Sequence, residues 1–267
     1  MDGMKRIFLS LAMLAGAALH ALPAVHAGSV SERVRSTGVV RACIWPEYYG
    51  VTYRHPRTRE LKGIDIDLSG ELAKDLGARI EYVDSSFTAV VDDLNSHRCD
   101  VAMFAIAVLP QRLNSLSFTQ PYLHSDVYAI TTKNNAVVGQ WSDIDRPGVR
   151  VAVLRGTSLE SFMAAHLQHA TVVPTSPPTS REQELMSGRV DAFMTNYFYS
   201  RRLLDNDDWA RLIAPARPVQ MLSYAYAVRP GDTGWLAQMN DFVARIKRDG
   251  RLKAAAQKNG LEQVIEP

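Results

Sequence analysis

Cysteine is almost absent: Cys43 and Cys99 are the only two in 267 residues. With no histidine pair nearby they exclude a cysteine-based zinc site, and no metal or cofactor is expected. Charge of one sign is also missing. The formal net charge is +2 and no Lys/Arg block stands out, which excludes an electrostatic nucleic-acid face or a membrane-surface helix. No low-complexity tract occurs, and no long hydrophobic run follows the N-terminal one. No Ser-His-Asp, paired-carboxylate or HExxH spacing is visible. The seven histidines are scattered, as packed or solvated residues would be.

What is present starts with a targeting segment over residues 1–27. Lys5 and Arg6 form a basic start, residues 7–22 an apolar run, and Val25-His26-Ala27 a small-residue cleavage site. The run is short for a membrane span, and no cysteine follows the cleavage site to carry a lipid. A cleaved secretory signal and an exported, soluble protein are expected. About 240 residues remain, enough for one large domain or two modest ones.

Strands and helices alternate along that remainder. Strands are expected over residues 39–44, 79–83 and 101–108. A helix enters at 61–67 and carries Leu68, Leu72, Ala73 and Leu76 on one face, with Gly77 at its end; another covers 88–94. A second pass puts strands over 150–154, 171–174 and 190–195, with helices over 159–167 and 181–187. Such alternation implies mainly parallel sheets flanked by helices. SHRCDVAMF (96–104) and SGRVDAFMT (187–195) both place an aspartate just before an apolar strand after a polar turn, so two similarly built α/β lobes are expected. Residues 125–134 and 222–229 alternate apolar side chains and are read as extended linkers. The resulting division is 28–130 for the first part of lobe 1, 131–223 for lobe 2 and 224–267 for the return, ending in helical residues 235–259. Cys43 late in one strand and Cys99 at the start of its parallel neighbour are offset by several residues, at roughly 3.3 Å each. That exceeds disulfide reach, and two buried thiols are expected.

The stretch 98–122 organises the rest. Its apolar strand ends at Pro110, and Arg112 follows at the edge where open α/β sheets bind ligands. A guanidinium there can grip a carboxylate through two parallel hydrogen bonds; as a solvated loop cation it would do nothing specific.

Asp100-Val101-Ala102-Met103, Leu109-Pro110-Gln111-Arg112 and Phe118-Thr119-Gln120-Pro121-Tyr122 resemble the signature of family 3 periplasmic solute-binding proteins, the polar amino-acid receptors of ABC importers. Gly63-Ile64-Asp65-Ile66-Asp67-Leu68, Gly156-Thr157 and Gly188-Arg189-Val190-Asp191-Ala192 follow in the family's order. The resemblance implies a type II periplasmic binding protein fold: two lobes, each a mainly parallel sheet flanked by helices, joined by two extended hinge strands. It implies a monomer in the periplasm that hands a small carboxylate-bearing solute to an inner-membrane permease. By the same resemblance Tyr48 and Phe87 cover the ligand, and Arg112 binds its carboxylate beside backbone groups at Ala105 and Ala107. Gly156, Thr157 and Ser158 then supply a helix start from the other lobe, whose N–H groups attract an anion and which Thr157 or Ser158 can cap.

The chain departs from the pattern in two ways. Ala105, Ala107 and Leu109 stand where the family usually has hydroxyl residues. Asn196 stands where the family has the carboxylate for the ligand's α-ammonium; an amide supplies no countercharge. Either Glu47 or the face of Tyr48 neutralises an amine, or the ligand has none. A rival on the same scaffold is a periplasmic cyclohexadienyl dehydratase, which relies on a glutamate just past the Asn196 position as general acid. Here Tyr199 stands there, a poor acid near neutrality, so a binding protein rather than an enzyme is expected. A third reading is an accessory or sensor protein whose basic, tyrosine-rich residues 48–59 meet a partner protein.

Overall fold

The computed structural model describes residues 29–177 and 179–266; the expected leader over residues 1–27 lies outside them. Among the described residues no helix is long and apolar enough to cross a membrane.

Helix α1 (Val30–Thr37) starts on a Ser29–Glu32 capping box and leads into β1 (Val39–Ile44). A small hairpin, β2 (Tyr53–Arg54) and β3 (Leu61–Lys62), precedes α2 (Ile64–Leu76), β4 (Arg79–Asp84), α3 (Val90–Asn95) and β5 (Val101–Ala107). Two short strands, β6 (Ser117–Phe118) and β7 (Leu123–Ser125), end this part. The second pass is β8 (Val127–Thr132), β9 (Arg150–Leu154), α4 (Ser158–His166), β10 (Thr171–Thr175), α5 (Arg181–Met186), β11 (Ala192–Asn196), α6 (Tyr197–Asn206) and β12 (Ala210–Ile213). The chain ends with β13 (Leu222–Val228), α7 (Thr233–Arg248) and α8 (Arg251–Asn259).

The strands form two main sheets. The first runs β4-β1-β5-β13-β6, with β7 also on β13; the second runs β10-β9-β11-β8-β12. In each, three parallel strands are followed by an antiparallel one. The aspartate echo seen in the sequence is one device used twice. Asp100, just before β5, accepts from the backbone N–H of Arg41 at 2.7 Å and from its guanidinium at 2.8 Å. Asp191, just before β11, does the same with Arg150 at 2.8 and 3.2 Å. Each carboxylate ties its own strand to the parallel neighbour, β5 to β1 and β11 to β9, and each aspartate returns its own N–H to the same arginine's carbonyl.

The two segments read as linkers are themselves strands, β8 in the second sheet and β13 in the first. Alternating apolar residues mark any extended segment with one buried side and do not separate a strand from a linker. The crossings are correspondingly short, at residue 126 and between Ile213 and Leu222. The C-terminal helices return to the first lobe: Trp235 Nε1 donates to the Asp100 carbonyl at 2.9 Å, and Arg245 and Arg251 pair with Asp75 of α2 at 3.0 and 2.8 Å.

Cys43 and Cys99 form a disulfide, with Cα atoms 5.5 Å apart, instead of the two buried thiols expected. Cys43 is paired with Ala102, so the offset along the chain is as read. However, Cys99 precedes β5. It lies in a turn where the Arg98 and Cys99 N–H groups both reach the Asp93 carbonyl, so the chain curls back towards β1. Offset in sequence therefore overstated distance in space.

Candidate functional site

The cleft between the sheets is built from turns at strand ends. After β1 the chain folds tightly, the Tyr48 N–H on the Trp45 carbonyl and the Thr52 hydroxyl on the same oxygen at 2.7 Å. This turn stacks Trp45 and Tyr48 against Phe87, with ring centroids 5.2 to 5.6 Å apart. The aromatic wall is thus packed on itself as well as facing the cavity.

Behind it lies a buried knot. Asp65, fully buried on α2, accepts from the Ala105 N–H at 3.0 Å and from the hydroxyls of Tyr122 and Tyr226 at 2.5 and 3.0 Å. Ala105 has φ of 46°, a left-handed value rare for a residue with a Cβ. Here β5 bulges: Ala102 faces Ala227 and Ile106 faces Ala225, three residues against one. Asp65 thereby takes an N–H that the ladder loses and holds the bend that aims Ala107 and the following turn at the cleft. Burial pushes the Asp65 carboxyl up to about 7, against the pull of its three donors. Its folded value lies above the ordinary 3.8, so the stability it contributes is full below that value and is lost as pH rises through about 7. Urea unfolding of Asp65→Asn, which cannot titrate here, should show its deficit against the parent narrowing from about pH 4 to about pH 8.

Arg112, in the turn after β5, donates to the Ala107 carbonyl at 3.1 Å and, across the cleft, to the Gly156 carbonyl at 2.8 Å. It has no acidic partner among the described residues. Burial lowers its pKa, while the hydroxyls of Tyr224 and Tyr48 pull the other way. Gly156 adopts φ of +77°, and a Cβ there would sit 2.6 Å from Thr88 Cγ2 of the first lobe. Gly156→Ala is therefore expected to fold but close poorly, weakening ligand binding by about tenfold or more. Calorimetry would read the affinity and X-ray scattering the closure.

At the start of α4, Thr157 occupies the N-cap position, yet its hydroxyl donates back to Leu154 at 2.6 Å. Neither Thr157 nor Ser158 takes the capping role expected of them; the Glu160 carboxylate of the first turn accepts from the Gly156 N–H at 2.7 Å instead. Asn196 caps α6, its Oδ1 accepting from the Tyr199 N–H at 3.1 Å and its Nδ2 donating to Tyr48 Oη at 2.5 Å. The amide is thus engaged on both sides. Tyr48, Tyr199 and Tyr224 are buried and their phenols pushed above the usual value, desolvation being the main cause.

The cavity between the lobes is small, about 30 Å³. Of the residues expected at the site, Tyr48, Phe87, Ala107, Arg112, Thr157, Ser158 and Asn196 line it together. Ala105 does not: it lies behind the wall, its N–H committed to Asp65. Gly156 contributes its carbonyl to Arg112 without lining the cavity. Trp45 and Leu154 also line it, in the turns that carry Tyr48 and Gly156; sequence reasoning missed Leu159, Thr195, Tyr224 and Arg181 and considered Tyr199 only as a missing acid. Tyr224 was legible once residues 222–229 are taken as a strand beside β5. Arg181 carried no signal in its polar run SREQE. Among the described residues no carboxylate lines the cavity.

Two α/β lobes, crossed twice by the chain around a cleft with an interlobe arginine, define the type II periplasmic binding protein fold. The chain belongs to the bacterial extracellular solute-binding proteins, family 3, matching that family over residues 40–262. It is similar to cyclohexadienyl dehydratase of Pseudomonas aeruginosa, 27% identical over 246 residues, 91% of this chain and 88% of that protein. It is also similar to an L-cystine-binding protein of Escherichia coli, 25% identical over 199 residues and 74% of each chain. Its fold matches a solute receptor for L-cysteine of Neisseria gonorrhoeae with a TM-score of 0.80, at 21% identity, over 90% of this chain and all of that one.

Proposed function

We propose that this protein, exported to the periplasm, captures a small carboxylate-bearing solute between its lobes and delivers it to an ABC importer's permease, acting as a monomer without a cofactor. The observation that carries this is Arg112: a partly buried guanidinium at the cavity, hydrogen-bonded to both lobes, with no acidic partner among the described residues. An anionic ligand completes it, and a planar carboxylate suits a fork of donors. Closure then buries the ligand's charge against a matching one.

The engagement of Asn196 favours an amine-free acid over an α-amino acid. Its Oδ1 already accepts from Tyr199 N–H, and Nδ2 is a donor, so an ammonium would be buried beside Arg112 without countercharge.

The dehydratase relative keeps an enzymatic reading in view. Two observations weigh against it: among the described residues no carboxylic acid lines the cavity, and Tyr199, where that class relies on a glutamate, donates its proton to Glu182 at 2.7 Å. A general acid working near neutrality needs a far lower pKa than a buried phenol's.

A thermal-shift screen tests the proposal, with L-amino acids, amine-free mono- and dicarboxylates and prephenate. A ligand at a hundred times its dissociation constant stabilises by about 2.7 kcal/mol, a shift of a few degrees. Amine-free acids should shift the protein and amino acids should not, while Asn196→Asp should move the preference towards amino acids. Consumption of prephenate would favour the enzyme, and silence from every acid would favour a protein partner.

A further inference from the structure

We propose that the cleft is built for a solute with two anionic groups and no amine, one group on Arg112 of the first lobe and the other on Arg181 of the second. This deepens the carboxylate reading above and rests on it.

Arg181 begins α5 and lines the same cavity as Arg112, yet it is only 6% exposed. Its guanidinium lies 4.7 Å from the ring centre of Tyr199 and 5.1 Å from that of Phe193. Its Nη1 donates to the Met194 carbonyl at 2.8 Å. These contacts hold the group in place without neutralising it. The acid paired with it is Glu182, whose Oε1 is 3.9 Å from Nη2, too far for a hydrogen bond. That same oxygen accepts the Tyr199 hydroxyl at 2.7 Å, and Glu182 is not part of the cavity wall. Glu47 of the first lobe senses Arg181 electrostatically but is exposed to solvent. Arg181 is thus a buried cation to which neither Glu182 nor Glu47 makes a hydrogen bond, and a buried charge left so poorly paired is costly.

Closure sharpens the problem. It brings Arg112 and Arg181, one from each lobe, to one small cavity. The buried Tyr48 hydroxyl lines the same cavity and interacts electrostatically with both. Two like charges lining one cavity oppose closure, and a ligand ammonium would add a third. A dianion reverses the sign of the interaction, so its binding and the closing of the lobes favour one another. Two fixed forks also select the spacing between the two anionic groups.

The test is calorimetric titration of the exported chain with succinate and glutarate, against butyrate and pentanoate as single-acid partners and aspartate and glutamate as amine-bearing ones. One diacid should bind about tenfold or more tighter than its matched monoacid and its matched amino acid. Arg181→Met should reduce that preference to about threefold or less. Arg181→Lys, which keeps the charge, should retain most of it. Equal binding of monoacids and diacids by the parent protein overturns the two-anion site while leaving the carboxylate reading intact; so does a preference that survives Arg181→Met in a variant with native near-UV circular dichroism. If Arg181→Met does not fold, the comparison on the parent protein decides. If no acid binds, the carboxylate reading itself fails, and the two-anion site with it.

Discussion

Arg112→Ala is expected to lose two to three orders of magnitude in affinity for the solute, about 3–4 kcal/mol, while the protein stays folded. The magnitude follows from what is left behind. A carboxylate drawn into a closing cleft without its guanidinium is a buried, unpaired anion, and breaking a buried pair from one side costs far more than losing a surface one. The fold should survive because Arg112 donates only to the carbonyls of Ala107 and Gly156, at the rim of the cavity where water can replace it. Arg112→Lys is informative beside it: a lysine restores charge but not the fork, and it cannot reach both carbonyls and a ligand together. Calorimetry on the three proteins checks the ordering of parent, lysine and alanine.

Removing the Cys43–Cys99 bridge is expected to be the most destabilising change in the first lobe. The two cysteines are 56 residues apart in sequence, and closing a loop of that length in the unfolded chain corresponds to about 4 kcal/mol in the chain-entropy account. Both side chains are buried in the main core, at the strands that lead into the Trp45 turn and the Arg112 turn. The Cys43→Ala/Cys99→Ala pair should lower urea-unfolding stability by about 2–4 kcal/mol. Ligand affinity should change much less once the variant is folded, since neither residue lines the cavity. A deficit below about 1 kcal/mol would show that the unfolded chain is constrained in other ways.

How far the sequence carried this picture depended on the kind of signal. Buried parallel strands are legible because they are short apolar runs ended by turn residues: β1 and β9 have the expected boundaries. The doubled aspartate was legible as a pattern, and the structure supplied its meaning as a strand-to-strand tie. By contrast, β8 and β13 read as linkers, because strand pairing is non-local and alternation looks the same in both. The disulfide was misjudged for a related reason: a turn before β5 folds the chain back, and no local residue announces it. At the site, Arg112 was legible from its place after a buried strand, while Tyr48, Phe87, Ala107, Thr157, Ser158 and Asn196, all at or just past strand ends, came through the resemblance. Arg181 was not, because its burial is created by Phe193 and Tyr199, side chains on β11 and α6 that reach it only after folding. Asp65 looked like one acid in a helix start, and only its three donors reveal that it shapes β5.

The account's central claim is that a carboxylate of the solute is what the lobes close on. The most direct test is calorimetric binding of an acid from the screen compared with its methyl ester, which keeps size and shape and removes the charge. The account predicts that the acid binds and that esterification weakens binding by about a hundredfold or more. An ester that binds as tightly as its acid would contradict it.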